Sequence, residues 1–160
     1  MIQRDDVRIR RVGFRAGSDE ELTALHAVEV PVAAECGANR MPEPIGAYIA
    51  FARSLPSQFD DHAWLAETPA GAPVAVGYCW STAGGDDRLM ECDVLVRRDQ
   101  RRRGTGTRLL GTICAETLAE GRSLLTWSTY GAVPAGEAFS VTSAARRSLP
   151  HKWPRCGRSY

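Results

Sequence analysis

No apolar run approaches the roughly 20 residues that a helix needs to cross a bilayer, so a helical membrane span is excluded. The first residues, Met1 to Asp6, hold no apolar stretch of the kind a secretion signal requires, and the expected address is the cytoplasm. There is no C-x-x-C pair. Five cysteines (Cys36, Cys79, Cys92, Cys114, Cys156) lie far apart and three histidines (His26, His62, His151) are scattered. A zinc site needs clustered ligands, so no metal is expected. An odd cysteine count without a signal also speaks against a disulfide scaffold; reduced thiols, mostly buried, are the expectation. Acidic residues stop at Glu137, after which come Arg146, Arg147, Lys152, Arg155 and Arg158. A chain of net charge +1 with five cations beyond Glu137 leaves −4 on the first 137 residues. That balance excludes a wholly basic nucleic-acid face and leaves room for a local anion site.

What is present suits one globular domain. The chain has 160 residues, 44% hydrophobic and 24% charged, enough for a core without staples. Residues 7–12 alternate as a strand. Ser18 with Glu21 forms a capping-box pattern, and Leu22, Leu25, Val28 and Val32 follow at helical spacing. Pro31 predicts a kink or an end near Val30. Ile45, Tyr48, Ile49 and Ala52 mark a second helix that stops by Pro56. Residues 63–67 and Pro73–Trp80, joined by Pro69-Ala70-Gly71, read as a hairpin. Leu89–Val96 is a further strand, with Met90, Cys92, Val94 and Val96 on one face and Leu89, Glu91, Asp93 and Leu95 on the other. Residues 105–120 form a helix striped by Leu109, Leu110, Ile113, Cys114 and Leu118, and Gly121 suits its end. Residues 123–129 are a last strand with Trp127 in the core, and residues 136–147 a last helix. The expected fold is a mixed α/β (α+β) domain over residues 1–147, followed by an irregular, basic tail at 148–160.

The informative segment is VLVRRDQRRRGTGTRLL, residues 94–110. A strand runs into a loop with six arginines between Arg97 and Arg108 against one acid, Asp99, and then into Gly104-Thr105-Gly106 and a helix. Glycines let backbone N–H groups approach a ligand. The first helical turn leaves N–H groups unpaired at the positive end of the macrodipole. Arginines add donors suited to phosphate. Together these make an anion cradle. It is neither a P-loop, since no Lys follows and the glycines are two apart, nor a dinucleotide fingerprint, since Leu109 stands where a third glycine would be.

Arg101-x-x-Gly104-x-Gly106 in this setting resembles the R/Q-x-x-G-x-G/A signature of the GNAT (general N-acetyltransferase) superfamily, and the order of elements is similar from Val7 to Phe139. The leading helices and the stretch from Val133 to Phe139 resemble actinobacterial members, some of which carry two such domains in tandem. The resemblance implies a mixed, mainly antiparallel sheet flanked by helices and splayed at its central strand. It implies acetyl-coenzyme A as acyl donor, with Arg102, Arg103, Gly104, Thr105, Gly106 and Thr107 around the pyrophosphate. The backbone of Val94, Leu95 and Val96 would lie along the pantetheine arm. Dimers are common in the family. The acceptor implied is an amine, with a slight preference for cations from the acidic body.

Acylation needs a neutral nitrogen, so an ammonium must first lose a proton. Glu91 is the first choice of base, Asp93 the second. Family members carry a tyrosine in the last helix that protonates the leaving thiolate; the position after Phe139 is Ser140, and Tyr130 is the substitute named here. Direct attack is expected, since no cysteine pairs with a histidine as a covalent relay would need. Beyond Phe139 the sequence departs from the family: Pro150, Pro154 and Gly157 oppose the expected final strands, which predicts a truncated or frameshifted end. The same residues, with Trp153 among cations, have the composition of a nucleic-acid contact, but a solvated end is the commoner meaning, and no such partner is expected. The alternative function is a non-catalytic acyl-coenzyme A binding domain.

Overall fold

The computed structural model describes residues 6–36, 43–56, 62–81, 88–127 and 133–145. Contacts divide the chain into two units, Met1–Ser128 and Thr129–Tyr160. The first holds β1 (Arg8–Gly13), α1 (Asp19–Glu35), α2 (Ile45–Ser54), β2 (His62–Glu67), β3 (Pro73–Trp80), β4 (Leu89–Val96), a 3₁₀ turn (Arg98–Gln100), α3 (Thr105–Ala119) and β5 (Leu124–Trp127). The second holds α4 (Pro134–Ala145), whose proline stands at the first helical position, where its missing N–H is harmless.

The five strands form one sheet in the order β1-β2-β3-β4-β5. The first four are antiparallel and β5 is parallel to β4. This is the mixed, mainly antiparallel sheet that the family resemblance implies. Period-two alternation sorts its faces. On one, Val12, Ala63, Leu65 and Val76 pack with Leu22, Leu25 and Val28 of α1 and Tyr48 and Ala52 of α2. On the other, Trp64 of β2 donates its indole N–H to Glu116 of α3 (2.9 Å). Gly77 lies on that face too: a Cβ there would come within 2.5 Å of Ile113 Cδ1, so glycine is what lets α3 approach β3.

The capping box forms as read: Ser18 accepts from the Glu21 N–H (3.1 Å) and Glu21 accepts from the Ser18 N–H (3.0 Å). Two expectations need correction. Pro31 does not end α1, which continues to Glu35. Proline removes one intrahelical hydrogen bond, but Val28 before it and Val32 after it are both buried, and that packing carries the helix through. Leu118 is not part of the buried stripe of α3: it is 66% exposed, and Thr117 is buried instead, its hydroxyl bonded to the Ile113 carbonyl (2.8 Å). At the last turn, the apolar residue falls on the solvent side. Helix α3 closes as expected at Gly121, with the Gly121 and Arg122 N–H groups on the Leu118 and Thr117 carbonyls (3.0 Å each). Cys79 and Cys92 are buried thiols, while Cys36 and Cys114 are half-buried. Trp127 is half-buried rather than fully in the core. Residues 146–160, including the basic tail, lie outside the described residues.

Candidate functional site

Strand β4 pairs with β3 along Glu91–Val96 and with β5 only along Leu89–Cys92. The β5 ladder therefore ends, among the described residues, at Cys92↔Trp127, and residues 94–96 lie beyond its last pair. The Arg97 N–H donates to the Val74 carbonyl (3.1 Å), which fixes the alternation of the β3–β4 ladder. In that alternation Leu95 exchanges its backbone bonds with Val76, whereas Val94 and Val96 direct theirs to the opposite edge. Of the three backbone positions named from the sequence, Leu95 thus faces β3, and its side chain packs against the core. The Val96 carbonyl already accepts a bond from Arg101 Nε (3.0 Å). Val94 and the Val96 N–H remain as the groups aimed at the edge past β5.

The loop that follows is shaped by its own side chains. Arg101 turns back toward the protein. Besides the Val96 carbonyl it holds Glu35 in two bonds, 2.8 and 2.9 Å, joining the end of α1 to the end of β4. Its position in the sequence pattern is thus a structural strut, a role that the spacing alone did not reveal. Asp99, the one acid of the loop, is engaged within it: the Gln100 amide donates to it at 3.0 Å and Arg97 faces it at 3.3 Å. These contacts, the Gln100 bond first, hold its carboxyl below the usual aspartate range. Arg98 and Arg102 are exposed and meet no carboxylate among the described residues.

Arg102 has φ +66° and Gly104 φ +85°, both left-handed, with Arg103 between them. Alternation of this kind curls successive N–H groups into a nest for an anion. Helix α3 begins directly after it. Its N-cap, Gly104, offers no side-chain cap, and the Arg108 N–H closes the first turn on the Gly104 carbonyl (3.0 Å). The N–H groups of Thr105, Gly106 and Thr107 thus point out of the helix start, in contrast to α1, which caps its own end. Around Gly104 there is open space where a Cβ would project. Arg103 and Thr107 are exposed, Gly106 is half-buried and Thr105 is buried. The six residues proposed from the sequence for the cradle therefore stand together on one loop and one helix start.

Glu91 and Asp93 project from the α1/α2 face of β4, where they stand opposite Trp80 and Tyr78. Glu91 is exposed and Asp93 half-buried. Ser140 is half-buried on α4. Tyr130, the expected proton donor, lies outside the described residues. Among those residues no group of three or more His, Cys, Asp or Glu side chains is placed to hold a metal ion, and no helix is long and apolar enough to cross a membrane.

Residues 33–135 match the model of the Acetyltransferase (GNAT) family. The chain is 31% identical over 138 residues to a mycothiol acetyltransferase of Frankia casuarinae, which covers 86% of this chain and 35% of that one. The chain thus spans about a third of the length of this curated relative. Among solved structures, a tandem GNAT protein from the clavulanic acid biosynthesis pathway superposes with a TM-score of 0.63 at 22% identity, over 87% of this chain and 43% of that one. A ribosomal-protein-alanine N-acetyltransferase of Brucella melitensis biovar Abortus superposes with a TM-score of 0.66 at 13% identity, over 96% and 99% of the two chains.

Proposed function

The chain belongs to the Acetyltransferase (GNAT) family, and from that premise we propose that it moves an acetyl group from acetyl-coenzyme A to an amine by direct attack. The observation that carries this reading is the nest at Arg102–Gly104 set at the uncapped start of α3, immediately past the stretch of β4 that lies beyond its last pair with β5 among the described residues. A diphosphate fits the nest because its charge meets main-chain donors, the positive end of α3 and exposed guanidinium groups at once. An amide-bearing arm fits the β4 edge because Val94 and Val96 offer it strand-like partners. The relative from Frankia is named for the acetylation of mycothiol, and the Brucella protein for that of a ribosomal protein alanine; both names are consistent with acyl transfer here.

The thioester supplies an acyl carbon activated by a thiolate leaving group. The chain's own part is to bind, orient and move protons. The cradle fixes the phosphates, the β4 edge aligns the arm, and a backbone N–H at that edge would stabilise negative charge developing on the acyl oxygen. Glu91 takes the proton that the attacking ammonium must lose, directly or through a water, with Asp93 as the alternative acceptor. As the C–N bond forms and the C–S bond breaks, the thiolate collects a proton, for which Tyr130 is the proposed source. Placing donor and acceptor together supplies much of the rate by proximity.

A second reading, a domain that binds acyl-coenzyme A without turnover, is favoured by one residue: Ser140, in the position where the family resemblance implies the tyrosine acid. Calorimetry with coenzyme A run beside a thiol-release assay over a panel of amines separates the two. Binding with thiol release on addition of an amine supports transfer. Binding without release for every amine supports the second reading, and absence of binding overturns both.

A further inference from the structure

Four half-buried glutamates of the first unit each meet an arginine: Glu21 and Glu67 face Arg10, Glu35 faces Arg101, and Glu116 faces Arg11. Glu29 of α1 does not. It is half-buried, and among the described residues no Arg, Lys or His side chain reaches it. Two phenols hold it instead: Tyr48 donates to Glu29 Oε1 at 2.7 Å, Tyr78 donates to the same oxygen, and the two hydroxyls lie 2.9 Å apart. Oε2 has no partner among the described residues. A carboxylate taken partly out of water without a counter-ion costs free energy. Here the neutral donors position the charge without cancelling it.

The surroundings suit a cation. Phe14 packs edge-on against both Tyr48 and Tyr78, with ring centroids 5.6 and 5.5 Å away, and His26, one turn before Glu29, lies 5.0 Å from Tyr48. The His26 ring is bonded to the Glu43 carbonyl (2.7 Å) and does not compete for Glu29. A half-buried carboxylate held by neutral donors beside these rings is a setting that attracts an ammonium. The place matters as well. Tyr78 is the cross-strand partner of Asp93, the first residue past the last β4–β5 pair among the described residues, and it shares the face of Glu91.

We propose that Glu29, held by Tyr48 and Tyr78, binds a second cationic nitrogen of the acceptor, so that the substrate class is a diamine or longer polyamine. This rests on the transfer reading above. The nitrogen that attacks must be neutral, so the one that meets Glu29 is the ammonium that is not acylated. It anchors one end of the acceptor while the other reaches the β4 edge.

The test titrates the full chain with 1,4-diaminobutane and with n-butylamine by calorimetry, with and without coenzyme A. The diamine is expected to bind about five- to tenfold tighter than the monoamine, the size of one ion pair at a half-buried, aromatic-lined carboxylate. E29Q keeps an oxygen for the two phenols and loses the charge; it is expected to erase the preference while leaving coenzyme A affinity and the melting temperature close to wild type. Equal affinity for the two amines in wild type, or a preference that survives in E29Q, overturns the proposal. The wild-type comparison needs no variant, so a folding failure of E29Q does not shelter it. Failure of coenzyme A to bind overturns the donor reading instead, and the diamine titration still decides this one.

Discussion

Arg102 and Gly104 show how a single dihedral separates conformation from charge. At Gly104 there is room for a side chain, so the penalty on G104A comes from φ alone, about 1 kcal/mol for an L-residue in the left-handed region. The variant is expected to melt slightly lower and to bind coenzyme A more weakly, because the nest relaxes. Arg102 already bears that strain. R102G should relieve it and leave stability equal to or above wild type, while coenzyme A affinity falls through loss of the cation; paired melting and calorimetry read the two effects apart. The double variant R103A/G104D, which removes a cation and sets an anion in the cradle, is expected to abolish binding. Arg101 belongs to a different class. R101A breaks the two bonds to Glu35 and the one to Val96, and is expected to cost about 1–3 kcal/mol in a denaturant titration. The signature spacing drew attention to Arg101 and to the cradle alike. It could not say that the first residue faces inward, because Glu35 is 66 residues away in the chain.

Among the elements, α1 is the one whose sequence and structure disagree most. Its start is legible: Ser18 and Glu21 are three residues apart and satisfy each other locally. Its end is not, because Pro31 sends a local signal that buried Val28 and Val32 override through contacts with the sheet. P31A should therefore stabilise the protein by restoring an N–H to the helix ladder, by up to about 3 kcal/mol on the propensity scale, seen as a higher melting temperature. Glu21 carries a pH prediction. The Ser18 N–H first, and Arg10 next, lower its carboxyl below the ordinary glutamate range. A depressed carboxylate contributes stability above the unfolded value and loses it as pH falls through the folded value. Acid titration of wild type should show this loss below the ordinary glutamate range, and E21Q, which keeps the capping geometry, should flatten it. On α3, Leu118 and Thr117 exchange their expected places. The periodicity of the sequence marks a stripe, but where the helix leaves the sheet is set by the length of the strands beneath it.

For the molecule as a whole, the binding proposed for the cradle would be an interaction of the folded state alone. Coenzyme A at a hundred times its Kd is expected to add about 2.7 kcal/mol to unfolding, read as a thermal shift. Because Arg98 and Arg102 are exposed, raising salt from 0.05 to 0.5 M should weaken the binding several-fold by screening. A shift independent of salt would place the anion away from these side chains.

Strand alternation, the capping box, the Gly-x-Gly start of α3 and the crowding of arginine into one loop are set by residues adjacent in the chain, so the sequence alone determined the order of the elements, the faces of β4 and the place of the proposed cradle. What folding decided is which groups meet across distance. The register of β3 against β4 turned Leu95 toward Val76 and left Val94 and Val96 on the edge past β5. The packing of α1 and α2 on that sheet brought Glu29 to Tyr48 and Tyr78, three residues with no common motif. Such meetings depend on hydrophobic burial summed over the whole first unit, and no window of sequence contains that sum.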